Sequence, residues 1–78
     1  MIVASIIVSS ERVYEVNGVS LPSVKQRAVD YLVRYYGLDS GASDAAFFRV
    51  PIELKEQGEL HLLESDSVCA LLEVNACL

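Results

Sequence analysis

The chain predicts a small α+β domain with one helix packed on an antiparallel sheet, in the order ββαβββ, or ββαββα if its last segment coils. Three observations carry this. A single helical pattern, residues 22–36, is bracketed by its own start and stop signals. Short alternating, β-branched segments lie on both sides of it. The length of 78 residues confines everything to one domain spanning 1–78.

Residues 2–8 are β-branched and apolar on both faces, the mark of a central strand. Ser9-Ser10 forms a tight turn. Residues 11–16 then alternate as a half-solvated strand, with Arg12, Tyr14 and Val16 on one face and Glu11, Val13 and Glu15 on the other. Asn17-Gly18 is a turn signal, because both residue types tolerate positive φ.

Ser20 supplies a helix N-cap, Pro22 suits the first turn, and Gly37 suits the left-handed position that closes a helix. Between them run two apolar stripes. Leu21, Val24, Ala28, Tyr31, Leu32 and Tyr35 form the first; Val29, Val33 and Tyr36 form the second. At about 100° per residue they sweep roughly 200°, twice what one small core requires. Asp30, placed between Arg27 and Arg34, can pair with either.

Residues 38–46 read as a polar loop. Residues 47–54 alternate, with Phe48, Val50, Ile52 and Leu54 facing one way, and Pro51 places that strand at a sheet edge or gives it a bulge there. Residues 55–58 turn, and 59–64 return with Leu60 and Leu62 inward. For 68–78 the pattern fits a strand or a short helix. The strand is preferred, because the three-residue turn Ser65-Asp66-Ser67 makes a natural hairpin.

Composition narrows function by exclusion. Apolar residues make up 53% of the chain, and mean hydropathy is +0.37. A domain of this size buries only about 60% of its unfolded surface, so oligomerisation is the expected stabilising device. The formal charge of −5 disfavours direct contact with nucleic acid or an anionic membrane. The apolar opening segment is far short of the roughly 20 residues of a membrane span. Two cysteines, Cys69 and Cys77, are too few for a disulfide scaffold and suit free thiols in a cytoplasmic setting.

No catalytic, metal or phosphate motif is present, so no cofactor is expected. Pairing His61 with Cys69, or with Ser65 and Asp66, lacks an oriented base and an oxyanion pocket. A half-exposed strand position for His61 and a small buried hydrophobe for Cys69 are the simpler roles. The expected function is a non-enzymatic protein-binding or adaptor module acting as a homo-oligomer, most simply a dimer, with an interface of Val29, Val33 and Tyr36 or an exposed sheet edge. Two alternatives stand beside it. One is an acidic inhibitor occupying a basic nucleic-acid-binding site on another protein, using acids around the 53–59 hairpin. The other is a small-molecule pocket lined by Tyr14, Tyr31 and Phe48.

Overall fold

The computed structural model describes residues 1–51 and 58–75. Strands β1 (Ile2–Val8), β2 (Glu11–Gly18), β3 (Phe48–Val50), β4 (Glu59–Glu64) and β5 (Cys69–Asn75) accompany one helix, α1 (Leu21–Tyr36). The order is ββαβββ, and the helix packs on a five-stranded antiparallel sheet ordered β2-β1-β5-β4-β3. The final described strand therefore lies at the centre of the sheet, between β1 and β4. The expected 55–58 turn, the acids at 53 and 56, and Cys77 lie outside the described residues, Gly58 excepted.

Local chemistry explains the helix. The Ser20 side chain accepts a hydrogen bond from the Ser23 N–H at 3.3 Å. Gly37 sits at φ 75°, and its N–H and that of Leu38 both turn back to the Leu32 carbonyl. The two-residue turn at Ser9-Ser10 forms as expected, with both residues at positive φ (54° and 66°). Asn17-Gly18 is not a turn: it continues β2, paired with Val3 and Ile2. Gly18 suits the close approach there, since a Cβ would sit 3.0 Å from Ser23 Oγ and 3.2 Å from Val24 Cγ2 and those side chains would have to give by a few tenths of an ångström.

Strand register settles which face each residue takes. Cross-strand partners share a face, so Tyr14, Ile6, Leu72, His61 and Arg49 form one row across the sheet on the helix side. Leu63 and Ala70 form another pair there. The core joins these strands to Val24, Ala28, Val29 and Leu32 of α1 and to Leu38 and Phe47.

Several expectations are corrected. The register of β2 against β1 shifts between Ile6 and Ile7, so Arg12 lies on the face opposite Tyr14 and Val16. In β4 it is His61 and Leu63 that are buried, whereas Leu60 and Leu62 face outward. In the third segment Phe47 is buried and Phe48 exposed. The loop 38–46 contains a single 3₁₀ turn at Asp44–Ala46, tied to the helix by the Asp44 N–H donating to Gln26 Oε1 at 3.2 Å.

Candidate functional site

Two surfaces stand out, one on each side of the sheet. The first is a groove of about 750 Å³ between the edge strand β2 and α1. Its floor is aromatic. Tyr14 of β2 stacks on Tyr31 of α1, centroids 4.4 Å apart and planes 7° from parallel. Tyr31 also meets Tyr35 at 4.8 Å and Tyr36 at 6.0 Å, both tilted. Such contacts add roughly 0.5–1.5 kcal/mol each beyond the area they bury.

Of the three residues read as a pocket lining, the structure brings two together and places the third elsewhere. Tyr14 and Tyr31 are in contact in the groove. Phe48 lies on β3, at the opposite edge of the sheet, four strand spacings or about 19 Å away. Arg27 and Arg34 line the groove as well. The expected ion pairs from Asp30 are not made among the described residues; its carboxylate instead accepts from Gln26 Nε2 at 3.1 Å.

The helix-flank interface is corrected in part. Val29 has no exposed surface and belongs to the core. Val33 and Tyr36 are partly buried and packed against that core. The reason is geometric: the fully buried arc Val24, Ala28, Val29, Leu32 is centred between the two stripes read from sequence. Val33 falls on one shoulder of that arc and Tyr31 on the other. Tyr35, expected inward, lies in the last turn of the helix and is 63% exposed.

The second surface is the sheet face turned away from the helix. Register places Ile7, Leu71, Leu62 and Phe48 side by side across four strands. Val3, Leu60 and Val50 share that face. All are at least partly exposed, and none packs against the core. No described element covers them. The charge nearest the centre, Glu73, is neutralised by Arg12, whose Nη2 donates to Oε1 at 2.8 Å. Sequence reading missed this ladder because it assigned the outward residues of β4 to the core.

His61 is buried rather than half exposed. Its Nε2 lies 3.2 Å from a Glu59 oxygen, and Arg49 approaches the other oxygen at 3.6 Å. Nε2 donates to that carboxylate, and Nδ1 has no partner among the described residues. Cys69 is exposed and opposite Glu64, on the outward face, so the Cys–His pair is not assembled. Ser65 instead closes its own turn, its Oγ donating to the Val68 carbonyl and accepting from the Val68 N–H, both at 2.9 Å.

Among the described residues no group of three or more acidic, histidine or cysteine side chains could hold a metal ion. None of their helices is long and apolar enough to cross a membrane. No protein-family model, curated protein or solved structure matches this chain.

Proposed function

We propose that this protein is a non-enzymatic protein-binding module that works as a homodimer, pairing the outer faces of two sheets. The observation that carries the reading is the cross-strand row Ile7, Leu71, Leu62 and Phe48, apolar and partly or fully exposed, with no described element packed over it. Contiguous apolar patches of this kind mark interaction surfaces.

A second copy suits this face for three reasons. A two-fold axis sets a patch against itself, and the Arg12–Glu73 pair leaves the centre without net charge to repel its image. Sheets pack face to face at about 10 Å, with strands some 30° apart, when both inner faces are apolar. The two longer extents, 31 and 23 Å, bound the face at about 700 Å² per copy, enough to approach the roughly 1,200–2,000 Å² total of stable interfaces. The exposed thiol of Cys69 supports a reducing, cytoplasmic setting.

Light scattering on a sizing column, with reductant present, tests the reading. The expected mass is twice the 8.5 kDa of one chain. Leu71→Glu should give a folded monomer, since Leu71 lies outside the core. A native monomer, or a Leu71→Glu protein that stays dimeric, would reject this interface. Val33→Glu would be a poorer probe, because Val33 packs against the core and the variant confuses dissociation with unfolding.

A further inference from the structure

The groove between β2 and α1 is bounded by a free sheet edge on one side and a helix on the other. Extended peptides exploit that layout when they add as a strand, with main-chain bonds supplying affinity and alternate side chains entering the groove. Strand β2 ends the sheet, so its outer N–H and C=O groups face no described strand. The part of β2 that lines the groove, Tyr14 to Asn17, lies past the register shift and is paired residue for residue with β1. The bulge therefore leaves this portion of the edge regular.

The helix wall carries Arg27 and Arg34 with Asp30 between them, a net charge of one positive on a chain of formal charge −5; the other charged residue of the lining, Glu15, pairs with Ser5 and so turns its side chain to the face away from the helix. Neither arginine makes an ion pair among the described residues. Tyr14 and Tyr35 are 52% and 63% exposed beside the stacked Tyr31. Tyrosine offers broad contact area with few torsions to freeze, which is why it dominates binding hot spots.

We infer that this groove receives an extended segment of another protein, bearing carboxylates at alternate positions, as an added strand beside β2. Its acidic side chains, on the strand face turned toward the helix, meet Arg27 and Arg34 beside the tyrosines, and its apolar side chains turn to the other face of the sheet. A second copy is a poorer occupant: two-fold symmetry would set the same helix wall, with its net positive charge, against itself. The sheet-face dimer leaves both grooves open, so the assembled molecule would hold two such segments.

The test is an array of short peptides in which apolar residues alternate with Glu, Ser or Lys, probed with the full chain. Retained peptides are then titrated by fluorescence anisotropy. Glu peptides should be retained over Ser and Lys peptides, and their binding should shift the amide resonances of residues 14–18. Replacing both Arg27 and Arg34 with Ala should weaken them about tenfold, as loss of charge-assisted contacts would. Leu71→Glu, on the opposite face, should leave their affinity unchanged, which separates this proposal from the dimer. Equal retention of Lys peptides, no retained Glu peptide, or unmoved β2 amides would overturn it. So would concentration-dependent protection of the β2 amides in the protein alone, which would place a second copy there.

Discussion

Tyr31 shows how much of the chemistry of this protein is set by single side chains. It is sandwiched between a strand tyrosine and the end of its own helix, and its phenol ionises above the ordinary tyrosine value. Desolvation by burial is the larger cause; the neighbouring Tyr36, Tyr35 and Tyr14 add to it. The raised value means that the folded chain holds this proton longer than the unfolded chain. The resulting stability is fully present below the unfolded value of about 10 and is lost as pH rises through it toward the folded one. A spectrophotometric tyrosinate titration should lose its highest-pH component in Tyr31→Phe. Loss of an ordinary component instead would contradict the stacking as the cause. His61 is buried with its Nδ1 unpartnered among the described residues, a cost of about 1–3 kcal/mol, while its Nε2 meets the Glu59 carboxylate.

At the scale of elements, the β1–β2 hairpin carries strain that its residues do not relieve. Ser9 and Ser10 both sit at positive φ, the requirement of a two-residue turn matched to strand twist. A non-glycine residue there costs roughly 1–2 kcal/mol. Replacing Ser9-Ser10 with Asn-Gly should stabilise the fold by about 1–2 kcal/mol, read as a higher urea midpoint with an unchanged slope. No gain would mean that the serines hold some other contact. The helix raises no such conflict, because Ser20, Pro22 and Gly37 each occupy the position their chemistry favours. These local signals were legible in the sequence because each depends on residues a few positions apart. Asn17-Gly18 shows the limit of that logic. Its turn propensity yields to the ladder with β1, and Gly18 is used for the tight passage beneath Ser23 and Val24.

For the whole molecule, the two proposed surfaces respond oppositely to salt. Two chains of formal charge −5 repel one another at long range, while the interface proposed between them is apolar. Raising ionic strength shortens the screening length to about 10 Å at 0.1 M and removes that repulsion. Sedimentation equilibrium should therefore show the dimer strengthening as salt rises from low values. Acidic peptides at Arg27 and Arg34 should weaken over the same range. A dimer that dissociates with salt would point to a charged interface in place of the sheet face. The excess of apolar residues was legible in the composition, but its location was not. The second helix stripe is largely taken up by the domain's own core, and part of the remaining apolar area lies on the outer face of the sheet.

By itself, the sequence determined the helix with its beginning and end, the strands that precede it, that β1 is central in the sheet, and that the strand before Pro51 is at an edge or bulged; it left 68–78 open between strand and helix. Each follows from periodicity or from the conformational limits of serine, proline and glycine. Only the tertiary structure decided the strand order, with β5 between β1 and β4, and which face of each strand turns inward. In β4 both faces carry leucine, so an alternating pattern is equally compatible with either choice. Pairing with β5 breaks the tie, placing His61 and Leu63 beneath the helix side and Leu60 and Leu62 outside. The Tyr14–Tyr31 stack likewise depends on β2 and α1 meeting at the sheet edge. That meeting is a long-range contact, which no local spacing encodes.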